Sequence, residues 1–489
     1  MVSLGCPKNL VDSEMILGNV GEAGLSITPS PEDADVIIIN TCGFIESAKE
    51  ESINTILEMC ELKSASATPK KVVVTGCLGQ RYGVELKKEV PEVDAIIGLG
   101  EYENIGAALK KLSSELDGGH GKKKKHGESL YQVSDPTKAC NAEVGRFRLT
   151  PRHYAYVKIS EGCDNPCTFC AIPSIRGAFR SKPISMVLEE VGELVSSGTK
   201  EIIIISQDTT SYGVDLTGKF ELSRLLEAIA SVRGVEWIRI LYAYPAFFTD
   251  EMIDSIASID KVVKYVDIPL QHISDKMLRR MGRRSNESKT RALLSKLRER
   301  IPGLYLRTTF IVGFPGEDAG EFGTLRDFVR EFGFERLGVF PYSEEEGTPA
   351  ASFQDQVLPE VRAKRFEELM LVQQENAFRQ SRARKGQLVS VLIDGNVKDR
   401  ARARSYGEAP EIDPCIYVSP RRRPSEPKGP ANVTEIALDG KGKGGADPRS
   451  FREIPVWKEE DPQPVNAGDF VTVKIMGNKD YDLLAEMVG

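Results

Sequence analysis

Short apolar runs alternating with amphipathic stretches constrain this chain more than any other feature. In the first third, "DVIIIN" (35–40) and "KVVVTG" (71–76) are continuous apolar runs, and "MVSLG" is the stub of a third. Such runs suit strands covered on both faces, as in a parallel sheet. Between them, "SAKEESINTILEMCELK" (47–63) sets Ile53, Ile56, Leu57 and Cys60 at helical spacing and predicts one apolar face. Units of this kind predict a small parallel α/β domain over residues 1–117. Six more β-rich runs follow, at 154–160, 201–206, 236–244, 262–270, 304–313 and 335–342, with helical patterns such as 184–197 and 249–258 between them. Eight strand–helix repeats close a barrel, whereas six predict a partial (β/α)6 barrel over 149–384, open at the C-terminal ends of its strands.

Between these two domains, 118–148 contains "GGHGKKKKHGE" and reads as an exposed linker. A charged helix over 358–386 leads to residues 385–489, where "LVSVLID" and "FVTVKIM" predict a small barrel of short strands. The Pro-, Gly- and charge-rich stretch near 420–465 has the composition of a disordered insertion.

Net charge is -7, so the whole molecule is not a basic nucleic-acid binder. No run of about eighteen apolar residues occurs, so no membrane span is expected. The first residues lack the charged lead and apolar core of a signal peptide. A cytoplasmic site is expected; because these residues begin abruptly, inside a strand-like run, the alternative is a plastid or mitochondrion if the N-terminus is truncated. Nine cysteines, an odd count with no export signal, argue against a disulfide scaffold and for metal or redox chemistry. With only four histidines, a His-rich metal site is not expected.

Three of the cysteines, Cys163, Cys167 and Cys170, fall in "SEGCDNPCTFCAIPSIRG" with spacing C-x3-C-x2-C. Iron–sulfur clusters usually take four thiolates, so three leave one corner open for a small ligand, as catalytic zinc sites do. The loop follows the first predicted barrel strand, on the face where barrel sites form. The competing reading is a zinc knot, which needs a fourth ligand; His153 lies on that strand and would point away from the loop. A second trio, Cys6, Cys42 and Cys77, has no local motif, but each follows a predicted parallel strand. Ligands of open α/β sheets bind at strand C-terminal ends, so three βα units would gather these thiols at one edge. Small buried hydrophobe is the alternative for each; it is kept for Cys60, and nothing is assigned to Cys140 or Cys415.

The C-x3-C-x2-C motif, with aromatic Phe169 before the last cysteine, resembles the radical S-adenosylmethionine (SAM) superfamily. That resemblance implies a [4Fe–4S] cluster on Cys163, Cys167 and Cys170 that binds SAM and cleaves it to a hydrogen-abstracting radical. "SLGCPKNLVDSE", "NTCGFIESAKEES", "TGCLGQRY" and "TTFIVGFPGE", with a TRAM-like terminal barrel, are similar to the methylthiotransferase family. The resemblance implies a second [4Fe–4S] cluster on Cys6, Cys42 and Cys77 that carries the sulfur to be inserted, and two uses of SAM. It also implies SAM contacts at Phe169, in the motif itself, at Gln207 and Asp208, after the second barrel strand, and at Gly313, after the fifth; the last three read equally as turn formers. Gln271 and His272 are candidates to face substrate on position alone. No catalytic side chain beyond the cluster ligands is expected.

"SQDTTSYG", "LYAYP", "VDIPLQHISDKMLRRMGR" and "PYSEEEGTPA" resemble the protein-modifying branch of the family. That branch implies methylthiolation of the β-carbon of an aspartate in ribosomal protein uS12, with an electron donor such as flavodoxin or ferredoxin. "RSYGEAPEID" adds Glu408, Glu411 and Asp413, acids predicted to repel phosphates and attract a basic protein, so nucleic acid is not expected as the direct substrate. The runner-up is a tRNA (modified adenosine) methylthiotransferase; a non-enzymatic iron–sulfur scaffold is the third reading.

Overall fold

A computed structural model describes residues 1–117, 129–138, 145–419 and 465–488. The Lys-rich stretch, Cys140 and the insertion expected near 420–465 lie outside the described residues, except Val465. The chain forms two compact units, Met1–Gln380 with Tyr406–Asp413, and Ser381–Ser405 with Pro414–Gly489.

In the first unit, β1 (Val2–Ser3), β2 (Val36–Thr41), β3 (Lys71–Thr75), β4 (Ala95–Ile97) and β5 (Leu130–Gln132) pair in sequence order, all parallel. The strands β4 and β5 escape sequence reading because three residues carry no period. Ser3, Asn40 and Thr75 occupy one row across the sheet. Cys6, Cys42 and Cys77 follow that row within three residues, so a single edge presents all three. Helices α1 (Pro7–Glu22), α2 (Glu46–Ala65), α3 (Gly76–Glu89) and α4 (Ile105–Asp117) complete the layer.

The apolar face expected on α2 is displaced. Ser52, Ile56, Met59 and Cys60 are buried, whereas Ile53 and Leu57 are 41% and 43% exposed. One narrow stripe at i, i+4, i+7 and i+8 meets the sheet, and residues 53 and 57 lie about 100° further round. Cys60 packs with Ile56 and Val72 as core filler.

The expected open barrel is present. Strand β6 (Tyr154–Lys158) is followed by a short antiparallel pair, β7 (Ser160–Glu161) and β8 (Arg180–Ser181), which pins both ends of the cysteine loop. Next come β9 (Glu201–Ile205), β10 (Trp237–Ile240), β11 (Val262–Asp267), β12 (Tyr305–Val312) and β13 (Arg336–Pro341). With β6 they form a six-stranded parallel sheet in the order β13-β12-β11-β10-β9-β6. Ile202, Ile204, Val266 and Leu306 bury one face of it against the outer helices, among them Leu226, Leu294 and Leu325. The third barrel strand ends at Ile240, four residues short of the expected 244, because Tyr242 takes a φ of 63°. A left-handed tyrosine cannot continue a strand, and it leaves "YAYP" as irregular chain at the mouth.

The second unit is a closed barrel of β14 (Leu388–Val397), β15 (Arg400–Ser405), β16 (Ile416–Ser419), β17 (Phe470–Lys479) and β18 (Asp482–Met487), cored by Val391, Ile393, Ala403, Ile475 and Leu483. The loop between β15 and β16, Tyr406–Asp413, belongs to the first unit, and here the structure corrects the sequence reading. Glu408 is 1% exposed and accepts from Arg336 at 2.8 Å. Asp413 accepts from the Tyr265 hydroxyl at 2.7 Å, and Glu411 from the Tyr154 hydroxyl at 3.0 Å. Glu408 and the Asp413 carboxylate are buried on internal partners, so of the expected acidic patch only Glu411 is exposed. A sequence shows charge but not which face carries it.

Candidate iron–sulfur and cofactor site

The sheet-edge trio is assembled by backbone crowding. A Cβ added to Gly5 would stand 2.7 Å from Cys42 Cβ, and one added to Gly76 would stand 2.2 Å from Asn40 Oδ1 and 2.4 Å from the Thr41 carbonyl. Gly76 has a φ of 89° and sits in a gap that admits no side chain. Asn9, in the first turn of α1, ties the edge together by donating to the Thr41 carbonyl at 2.9 Å and to the Leu4 carbonyl at 3.2 Å. The thiols perturb one another: burial, then Cys77 and Cys6, pushes the Cys42 thiol up to about 12. Burial also raises Cys77, against the pull of Arg176.

The loop trio is fixed differently. The Cys163 N–H donates to the Gly177 carbonyl at 3.1 Å, the Cys170 N–H to the Cys167 carbonyl at 3.2 Å, and the Phe179 N–H to the Asp164 carboxylate at 3.0 Å. Burial pushes Cys163 up to about 11 and Cys170 up to about 12, with Cys167 raising both further. Asn165 donates to Cys163 Sγ through its backbone N–H and its side-chain amide, both at 3.5 Å. Arg283 donates to Cys167 Sγ at 3.5 Å and lies over the Tyr244 ring, 4.0 Å from its centroid.

All six thiols are free. Among the described residues no three Cys, His, Asp or Glu side chains converge as the ligands of one mononuclear ion would. A cubane makes no such demand, because each thiolate binds its own iron. Free, mutually perturbed thiols that also receive N–H donors therefore fit cluster ligation. The zinc-knot alternative fits poorly, since His153 is buried in the turn before β6, beside the Tyr154 ring and not in the cysteine loop. Iron binding would draw protons off these raised thiols.

A buried charge network joins the sheet-edge trio to the two segments that flank the cysteine loop. Arg176, at the end of α5 (Ile172–Arg176), donates to Glu161 at 2.8 Å, to Asp12 at 2.8 Å, to Asn9 Oδ1 at 2.7 Å and to Cys77 Sγ at 3.5 Å. Lys158 completes it, bonding Asp12 at 2.6 Å and Glu161 at 2.5 Å. Burial opposes the charge on Glu161, but Arg176 and Lys158 override it and hold this carboxyl far below its ordinary range. Deeper in, Arg146 pairs with Glu14 of α1 at 2.5 Å and also with Glu190 of α6 (Ile184–Ser196), clamping the first helix to the barrel.

The expected cofactor contacts have distinct surroundings. Among the described residues the buried Gln207 side-chain oxygen has no hydrogen-bond partner, nor has the Thr209 hydroxyl, both beyond the end of β9. Asp208 accepts from the backbone N–H groups of Thr210 and Ser211 and from both their hydroxyls, which is the turn-forming role. It also accepts from Asn165 at 2.8 Å, so it braces the cysteine loop. Phe169 meets Phe314 edge-on, with centroids 6.4 Å apart, in a cluster with Met277 and Met281. Gly313 is crowded by Arg362, 2.4 Å from where its Cβ would be, and its N–H donates to Glu317 at 3.0 Å, again the turn role. The Gln271 side-chain oxygen has no hydrogen-bond partner among the described residues. His272 is fully buried 3.5 Å from Glu317 and accepts from the Ser274 N–H at 3.0 Å.

Sequence reading did not single out Lys8, Asn9, Asp12, Lys158, Glu161, Arg176, Tyr242 or Arg283. One signal was available: Lys8, Asn9, Asp12, Ser13 and Glu14 place polar side chains all round α1, and every one is buried. Polar residues on a helix with no exposed face at those positions mark an internal network.

Comparison with known proteins agrees with this architecture. Residues 1–98 match a family described as uncharacterized protein family UPF0004, residues 157–329 the radical SAM superfamily, and residues 386–437 the TRAM domain. The chain is 42% identical to ribosomal protein uS12 methylthiotransferase RimO of Acetivibrio thermocellus, over 100% of this chain and 98% of that one. It is 42% identical to the RimO protein of Geotalea uraniireducens over 100% and 98%, and 46% identical to that of Clostridium tetani over 85% and 90%. Among solved structures, the radical SAM methyltransferase TsrM of Kitasatospora setae aligns at 15% identity with a TM-score of 0.46, covering 66% of this chain and 64% of that one. Radical SAM membership implies one [4Fe–4S] cluster and SAM, and among the described residues no helix is long and apolar enough to cross a membrane. With full-length identity above 40%, the chain belongs to the uS12 methylthiotransferase family of radical SAM enzymes.

Proposed function

We propose that this chain methylthiolates the β-carbon of an aspartate in ribosomal protein uS12, with one [4Fe–4S] cluster on each cysteine trio and two SAM molecules spent per product. The observation that carries the reading is the pairing of two trios of free thiols in one compact unit, with the Arg176 network tying the sheet-edge trio to the segments that flank the cysteine loop. When bound, the cofactors supply one-electron cleavage of SAM, hydrogen-atom abstraction from unactivated carbon and the inserted sulfur.

The chain's own residues position this chemistry. Asn165 and Arg283 donate to thiolates of the loop trio, and Arg176 to Cys77; such hydrogen bonds to sulfur tune a cluster's potential. Gln207 and Thr209 offer unmatched oxygens to SAM, while Asp208 and Gly313 shape the turns that carry the site. Phe169 closes the apolar side of the mouth. An external one-electron donor of the flavodoxin or ferredoxin type is required. The relatives are bacterial proteins, which supports a cytoplasmic site of action over an organellar one.

With Glu408 and Asp413 turned inward, the preference for a protein substrate rests on the relatives and the shared motifs. The test is direct: anaerobically reconstituted enzyme, SAM and dithionite are given either uS12 or tRNA. A mass gain of one SCH2 unit on the uS12 aspartate is expected. The same gain on tRNA nucleosides alone would refute the reading, and release of 5′-deoxyadenosine excludes a passive scaffold.

A further inference from the structure

Lys8 is an unusual residue to bury. It follows Cys6 by two positions, is 7% exposed, and its ammonium stands 3.1 Å from the centroid of the Tyr242 ring. Among the described residues it has no hydrogen bond or ion pair to any acceptor. Beyond the Cys6 thiol, which acts on it most, the carboxylates that act on it electrostatically are Asp267 and Glu161, and both are taken. Asp267 accepts from Arg307 at 3.1 Å and from the Tyr242 N–H at 3.0 Å. Glu161 accepts from Lys158 and Arg176.

A desolvated ammonium with three unmatched donors is costly, and a ring face offsets only part of that cost. Tyr242 itself is held at a positive φ, a conformation that costs a non-glycine residue free energy and tends to persist where it serves a site. Around the two trios the other buried or half-buried cations are committed. Lys158 and Arg176 are neutralised by Asp12 and Glu161, and Arg283 is spent on Cys167, the Pro269 carbonyl and the Tyr244 ring. Cys77 already draws its cation from Arg176. Of these four cations Lys8 alone has no hydrogen-bond acceptor among the described residues, its one contact being the Tyr242 ring.

Resting on the uS12 reading above, we propose that Lys8, held over Tyr242, is the carboxylate-recognition residue that grips the side chain of the substrate aspartate. The reacting β-carbon is bonded directly to that carboxylate. An ion pair there fixes the carbon within reach of the chemistry and selects aspartate over asparagine, because the neutral amide leaves the buried ammonium unpaired. SAM also carries a carboxylate, so the experiment separates the two sources.

The test uses reconstituted enzyme without reductant, so that no turnover occurs. Binding of uS12, and of uS12 with its target aspartate changed to asparagine, is measured for wild type, Lys8→Met and Lys8→Arg, together with SAM affinity and iron content. Wild type is expected to prefer the aspartate form by about tenfold or more. Lys8→Met is expected to lose that preference while keeping its iron and SAM affinity, and Lys8→Arg to retain part of it. Lys8→Met is also expected to melt no lower than wild type, because Met removes an unpaired buried charge. Unchanged discrimination in Lys8→Met would overturn the proposal, and so would loss of SAM affinity with uS12 binding intact. If wild type binds both uS12 forms equally, the proposal fails while the uS12 reading stands. If wild type binds neither form and modifies tRNA, it is the uS12 reading that has failed.

Discussion

The two cysteine trios reach the same chemical end by opposite routes. Cys163, Cys167 and Cys170 lie within eight residues on one loop, whose ends are pinned by the β7–β8 pair. Cys6, Cys42 and Cys77 span seventy-two positions and meet only because three parallel strands end in one row. A loop site carries its geometry in its own spacing, whereas a sheet-edge site borrows geometry from the whole domain. The first tolerates loosening elsewhere; the second does not.

The largest expected effect separates their roles. Cys163→Ala should abolish release of 5′-deoxyadenosine. Cys42→Ala should leave that release possible, stop sulfur insertion, and lower iron from about eight to about four per chain. Equal loss of both activities in Cys42→Ala would erase the distinction.

Glycine substitutions sharpen it. A Cβ on Gly162, φ 72°, would stand 2.1 Å from the Ala178 carbonyl, and one on Gly76 2.2 Å from Asn40 Oδ1. Backbone strain alone costs about 1–3 kcal/mol at such positions, and the overlap adds to it. Gly162→Ala should remove the loop cluster and lower the melting temperature only by the strain at that one loop. Gly76→Ala should lower the melting temperature further, because the displaced neighbours are strand ends. Iron content and thermal unfolding report both, and matching unfolding profiles would break the comparison.

The same contrast decides what the sequence could show. The loop trio and the six barrel strands were readable because spacing and long apolar runs are local properties. The sheet-edge trio was readable only through its strand-end positions, and the strands β4 and β5 were too short to show a period. Glu408, Glu411 and Asp413 looked like a surface patch, but their partners, Arg336, Tyr154 and Tyr265, lie more than seventy residues away in sequence. The Arg176 network was missed for the same reason: Asp12 and Arg176 are 164 positions apart.

A smaller effect is expected at the clamp that seats α1 on the barrel. Arg146→Met leaves fully buried Glu14 with only the more distant Arg148, at 3.8 Å, as its cation, at a cost of about 3 kcal/mol. That is the low end for such a loss, because Glu14 keeps the N–H groups of Leu149 and Thr150. SAM cleavage should persist while sulfur insertion falls, since the helix that follows Cys6 is then less firmly held. An equal fall in both would show that the loop trio also depends on the clamp.

The smallest effect is a pH dependence of that clamp. Burial by itself would raise the Glu190 carboxyl, but Lys182 at 2.5 Å and Arg146 outweigh it and hold it below its ordinary 4.5. The folded protein therefore gives up this proton more readily than the unfolded chain does. The stabilisation is complete above about pH 4.5 and drains away as the pH falls through the lowered folded-state value. Glu190→Gln, which removes the titrating group, should be less stable than wild type to urea at pH 7, and the gap should narrow under acid. The Cys163 N–H bond to the Gly177 carbonyl and the β7–β8 pairing involve no carboxylate, so they should not follow that curve. If hydrogen exchange showed both trios loosening together at low pH, the sheet-edge site would be no more dependent on distant charge pairs than the loop.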